Sequence, residues 1–179
     1  MGGLPATGKS TVARKIATAM GAALLRSDVV RKSLLGIPLT RRWTGGMHEG
    51  PYAPDVTRRT YAHMREEAEG HLRAGRSVVV DATLPEEAGR DAFARLAREC
   101  GCPSRFLLME APEATIRERM QARQAEADEV SDAGFEVWRQ ARREYEMPRS
   151  ALRADGCSAP WHAVSLLLDS LATGRSAVC

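Results

Sequence analysis

The string GLPATGKS at 3–10 limits what this chain can fold into more than any other feature. It fits G-x-x-x-x-G-K-[ST], a loop whose glycines let backbone amides turn toward phosphate oxygens while the lysine sets a point charge beside the β- and γ-phosphates. On this reading Gly3, Pro5, Ala6, Thr7, Gly8, Lys9, Ser10 and Thr11 form a nucleotide cradle, Ser10 also offering its hydroxyl to a magnesium ion. Val12, Ile16, Ala19 and Met20 then recur at helical spacing, which predicts a helix over 10–20 that presents its positive N-terminal end to the anion.

Beyond that helix the pattern alternates. Apolar stretches at 22–26, 77–81 and 105–110 read as strands, and helices are predicted toward Leu35 and over 55–74, 86–100 and onward from Pro112. Strands separated by helices of this length are joined by right-handed crossovers, so the fold class is α/β, a parallel sheet with helices on both faces. A polar stretch at 121–131 precedes a last helix marked by Phe135, Trp138, Ala141 and Tyr145. The glycine- and proline-rich segment 36–54 lacks periodicity and reads as a substrate-facing loop.

Two ends depart from this scheme. Only Met1 and Gly2 precede Gly3, so the apolar strand that should feed the loop is missing from the sequence, and no closing strand is evident beyond the last helix. The expected organisation is therefore a domain over 1–150, with a lid at about 121–134, and an atypical tail over 151–179. Fragmentation or altered termini, leaving the chain inactive as it stands, would account for both departures.

Composition narrows the partners. The formal net charge is only +3, with no polybasic arm, so nucleic acid is permitted rather than demanded. The apolar run 164–168 falls far short of the roughly 20 residues that span a bilayer, so no membrane partner is expected. Cys100, Cys102, Cys157 and Cys179 lack zinc-site spacing and no signal peptide precedes them, which fits a reducing cytoplasm. The four histidines show no metal-ligand spacing either.

Five further positions are candidates for chemistry. Asp81 ends the run Val78, Val79, Val80, at the carboxyl edge of a parallel sheet where a magnesium-associated carboxylate belongs; a helix cap is the alternative. Asp28, at the end of the neighbouring strand, is placed either to take the proton of an attacking hydroxyl or to cap the next helix. Arg31 follows it by three residues, on the same helical face, as an anion clamp or as half of a surface ion pair. Arg119 and Arg123 are four apart on the helix leading into the polar stretch, either solvated or as lid arginines facing a transferred phosphoryl group.

With GLPATGKST, RSDVVRKSLLG, GRSVVVDAT, RERMQAR and SDA in this order, residues 2–148 resemble the P-loop kinases of the AAA-type ATPase or zeta-toxin-like group, relatives of polynucleotide 5′-kinase. The resemblance implies a three-layer P-loop NTPase fold and an ATP- and magnesium-dependent kinase acting on a hydroxyl of a small molecule or a polynucleotide 5′-end. It implies Asp28 as general base, Arg31 as acceptor ligand, and Arg119 and Arg123 as the two lid arginines. Such domains are often joined behind an aminoglycoside-phosphotransferase-like domain, which would make this chain one piece of a larger protein. An ATP-binding switch that hydrolyses slowly, without an acceptor, is the alternative function.

Overall fold

The computed structural model describes residues 1–41, 43, 45–46, 48–125 and 133–173, the side chains of 123–125 and 133–134 falling outside that description. Four short strands and seven α-helices alternate along it: α1 (Lys9–Met20), β1 (Ala23–Arg26), α2 (Ser27–Leu34), α3 (Pro54–Arg73), β2 (Val78–Asp81), α4 (Glu87–Glu99), β3 (Leu107–Glu110), α5 (Glu113–Ala125), α6 (Ala133–Glu144), β4 (Leu152–Asp155) and α7 (Pro160–Thr173). A one-turn 3₁₀ helix, Gly50–Tyr52, precedes α3.

The strands are parallel in two pairs, β1 with β2 in the register Ala23↔Val78 to Arg26↔Asp81, and β3 with β4 in the register Leu107↔Leu152 to Glu110↔Asp155. Met1 to Gly3 lie between the pairs. Gly2 forms a parallel bridge to Leu108, donating to the Leu107 carbonyl at 2.9 Å and accepting from the Met109 amide at 3.0 Å. On the other side Gly3 N donates to Thr83 O at 3.2 Å, and the Met1 ammonium donates to Val80 O at 2.7 Å. The three residues thus stand in the central slot, giving the order β1, β2, Met1–Gly3, β3, β4. What the sequence reads as a missing strand is a stub that still hydrogen-bonds to both neighbours.

The slot is narrow, which explains its residues. A Cβ on Gly3 would lie 2.4 Å from the Met109 carbonyl oxygen, and one on Gly2 would lie 2.5 Å from the Phe106 ring, both well inside contact distance. Glycine at both positions lets the backbone pass between β2 and β3 and bend into the loop.

Helices cover both faces. On one, Val12, Ala13, Ile16 and Ala17 of α1 pack with Ala163, Val164 and Leu167 of α7 over Leu107, Met109 and Leu152. On the other, Val30, Met64, Ala68 and Leu96 from α2, α3 and α4 enclose Leu25 and Ala82. Residues 151–173 are therefore integral to the sheet and to one half of the core, and the strand that the sequence reading finds absent is present as β4. Its signal is faint because four residues, LRAD, alternate between buried and exposed and contribute one large apolar side chain, Leu152. Most of the expected lid, 126–132 together with the side chains of 123–134, lies outside the described residues.

Among the described residues, no helix is long and apolar enough to cross a membrane.

Candidate active site

The loop between the stub and α1 has the backbone that its glycines allow. Gly3 and Gly8 take φ of 126° and 90°, and Ala6 takes 63° despite its Cβ. Gly8 caps α1, with its carbonyl accepting from Thr11 N at 3.1 Å and Val12 N at 3.3 Å, so the helix N-terminus, the end that favours an anion, opens onto the loop. Lys9 reaches back to the Leu4 carbonyl at 2.7 Å and the Thr7 hydroxyl donates to the same oxygen at 2.8 Å. A carbonyl thereby holds the ammonium over the loop, the span that a phosphate oxygen would occupy.

Asp81 ends β2 as expected, 5% exposed, with its carboxylate 3.6 Å from Arg26 Nε. The pairing follows from register, since Arg26 and Asp81 are partners across the β1–β2 ladder. No cluster of three or more His, Cys, Asp or Glu able to hold a metal occurs among the described residues. Were magnesium held here, Ser10 would offer a hydroxyl and Asp81 a carboxylate, leaving positions for phosphate oxygens and water.

Asp28 stands in the first turn of α2, where the helix dipole favours a carboxylate. Its side chain is 49% exposed and lies 3.7 Å from Lys32, and it accepts a hydrogen bond from the Tyr52 hydroxyl at 3.4 Å. Burial, with the charge of Asp28 beside it, pushes the Tyr52 phenol above its usual range, so Tyr52 remains a donor. Arg31 is 6% exposed and lies 4.7 Å from the Tyr52 ring centre. The α2 face therefore brings Asp28 and Arg31 together with Tyr52, which comes from the 3₁₀ turn before α3.

Arg119 comes to the P-loop by a route that spacing does not reveal. Its Nη1 donates to Ala6 O at 3.1 Å and its Nη2 to Gly156 O at 2.7 Å, fastening the turn after β4 to the loop. Gly156 N in turn donates to Glu110 O at 2.7 Å. The Arg123 side chain lies outside the described residues.

Sequence reasoning missed three members of this neighbourhood: Arg26, which pairs with Asp81; Tyr52, which falls within the loop 36–54 without a role of its own; and Gly156. A glycine just past a strand end was the available signal for Gly156, but β4 itself was not seen.

A family model described as an AAA domain matches residues 1–148. An uncharacterized protein of Mycobacterium tuberculosis is 32% identical over 99 residues, which are 55% of this chain and 20% of that protein; the match thus spans a fifth of the curated relatives' length. Among solved structures, a gluconokinase from Sinorhizobium meliloti superposes with a TM-score of 0.65 at 22% identity, covering 96% of this chain and 89% of that one. An APS kinase of Mycobacterium tuberculosis, solved in complex with AMPPNP and APS, gives 0.67 at 17%, covering 96% and 94%. A shikimate kinase from Aquifex aeolicus gives 0.61 at 15%, covering 97% and 94%. At these identities the likeness establishes the fold: α/β, kinase-like, with a P-loop and parallel strands.

Proposed function

The chain belongs to the AAA domain family, and from that premise we propose that it is an ATP-dependent phosphotransferase moving the γ-phosphoryl group to a hydroxyl acceptor. The observation that carries the reading is the shared sheet edge. The P-loop leaves the central stub, Asp81 ends β2 beside it, and Asp28 opens α2 directly after the next strand, so a phosphate cradle and two carboxylates converge at the carboxyl ends of parallel strands.

In the proposed reaction the P-loop amides, Lys9 and Thr11 hold the phosphates in line with the acceptor. Asp28 takes the hydroxyl proton as the acceptor oxygen bonds to the γ-phosphorus and the bridging oxygen departs with ADP. A magnesium ion held by Ser10 and Asp81 would supply neutralising charge to the β- and γ-phosphates. Arg119 and Arg123 lend positive charge from the lid side, while the segments 36–54 and 121–134 choose and enclose the acceptor. Catalysis here is chiefly positioning and electrostatics. The companion phosphotransferase-like domain is proposed on the same footing, since a match confined to a fifth of the relatives leaves room in them for one.

The test is transfer of labelled γ-phosphate from ATP to a panel of hydroxyl compounds and 5′-hydroxyl oligonucleotides. Asp28→Asn should abolish transfer, by roughly 10²-fold or more, while ATP binding persists. Intact transfer in that variant would remove Asp28 from the base role, and ATP hydrolysis without any phosphorylated acceptor would favour the switch reading instead.

A further inference from the structure

We propose that Arg26 guards Asp81 against free divalent cations, so that a metal ion reaches this carboxylate only together with a nucleotide. This rests on the reading of Asp81 as the carboxylate of a metal–nucleotide site. Arg26 and Asp81 are register partners at the last rung of the β1–β2 ladder, with Arg26 Nε 3.6 Å from Asp81 Oδ2. The Asp81 side chain is 5% exposed and that of Arg26 35%, so a buried carboxylate sits beside a guanidinium that is itself partly open to solvent.

The pair is one of charge without a hydrogen bond at Nε. That nitrogen is buried and has no hydrogen-bond partner among the described residues. An ionised carboxylate as buried as Asp81 needs a cation beside it, and the strand register supplies Arg26. The contact keeps the attraction of the charges but lacks the two parallel bonds that make a forked arginine–carboxylate pair strong. Asp81 is thus balanced by a partner that remains open to exchange.

What can displace Arg26 follows from charge. A free divalent ion beside Asp81 meets the guanidinium at close range, where like charges repel strongly. A metal–nucleotide complex brings phosphate oxygens as well, and the freed fork suits phosphate as it suits carboxylate. The sheet sets these groups in order. Met1 N donates to Val80 O at 2.7 Å and Gly3 N to Thr83 O at 3.2 Å, so the segment feeding the P-loop is bonded to β2 on either side of Asp81. Phosphates in the P-loop would lie one strand from Asp81 and two from Arg26, with the carboxylate between them.

The experiment titrates Mn²⁺ into wild type, Arg26→Gln, Arg26→Lys, Asp81→Asn and the double variant Arg26→Gln/Asp81→Asn. Without nucleotide, binding is read from the free-ion signal in electron paramagnetic resonance; with a non-hydrolysable ATP analogue, it is read from protection against thermal unfolding. Expected in wild type is weak uptake of Mn²⁺ alone, together with an Mn²⁺-dependent gain in protection by the analogue that Asp81→Asn loses. Arg26→Gln should bind Mn²⁺ alone roughly 10-fold or more tightly than wild type, Arg26→Lys should restore the weak binding, and the double variant should lose the gain. A cross-strand pair that serves stability alone would weaken the fold of Arg26→Gln and leave its Mn²⁺ affinity at the wild-type value, which would overturn the proposal. Tight uptake of Mn²⁺ by wild type without the analogue would overturn it too, and that result requires no variant to fold, as would an Asp81→Asn variant that keeps the Mn²⁺-dependent protection. Failure of the phosphotransfer reading has a different signature: the binding results hold, yet no acceptor is phosphorylated.

Discussion

Gly156 gives the sharpest test of how the P-loop is held. A Cβ there would lie 2.0 Å from the Thr7 carbonyl oxygen, 3.0 Å from its carbon and 3.1 Å from the Glu110 oxygen. Ordinary contact begins near 3.4 Å, so Gly156→Ala demands a shift of about 1.4 Å between two backbones, where no flexible side chain can yield. If the 155–158 turn moves, it strains the Gly156 N to Glu110 O bond of 2.7 Å and the Arg119 bond to Gly156 O of 2.7 Å. If the P-loop moves, the cradle is misplaced by more than an ångström. Overpacking of this kind costs about 1–3 kcal/mol, and losing the charged hydrogen bond adds about 1.5–3 kcal/mol. A catalytic displacement of this size corresponds to roughly 10²-fold in rate. Urea unfolding and ATP titration of the purified variant would measure both. The matched control is Gly70→Ala in α3, where an added Cβ meets nothing within 4 Å, and helix propensity favours alanine by about 1 kcal/mol. Wild-type stability and ATP affinity in Gly156→Ala would refute the reasoning.

Two further predictions follow from the same region. Arg119→Met removes both carbonyl contacts of a partly exposed guanidinium, so unfolding free energy should fall by about 2 kcal/mol and KM for ATP should rise; a change in kcat alone, with stability and KM unmoved, would mean that Arg119 does not anchor the loop. The Met1 ammonium is lowered from 8.0 to about 6, chiefly by burial, with Asp81 opposing. The unfolded chain therefore binds this proton more tightly than the folded one, and stability present above about pH 8 should decline by roughly 3 kcal/mol as pH falls from 8 through 6. An Nα-acetylated chain lacks this titration, so an equal slope in both chains would assign it to other groups.

How much was legible beforehand is clearest from particular elements. The helix α1 was readable because Val12, Ile16 and Met20 repeat at its period and Gly21, at φ 59°, stops it. The strand β2 was readable because three valines run into an aspartate, and the edge position of Asp81 came with them. Both signals are local. In contrast, β4 carries its evidence in its partner, since LRAD becomes a strand by pairing with Leu107–Glu110, and Met1 to Gly3 qualify as a central stub only through bonds to residues some eighty and more than a hundred positions away.

The same division runs through the candidate site. The sequence alone determined which residue types would face phosphates in the proposed site, because a P-loop needs glycine, lysine and a hydroxyl at fixed intervals, and it placed Asp28 and Arg31 on one helical face by spacing. Tertiary structure decided what surrounds them: that Arg26 neutralises Asp81, that Tyr52 lies over a buried Arg31, and that Arg119 and Gly156 fasten the loop from the far edge of the sheet. Periodicity and spacing record neighbours along the chain, whereas burial, counter-charge and close backbone approach are set by segments that meet only when the sheet is assembled.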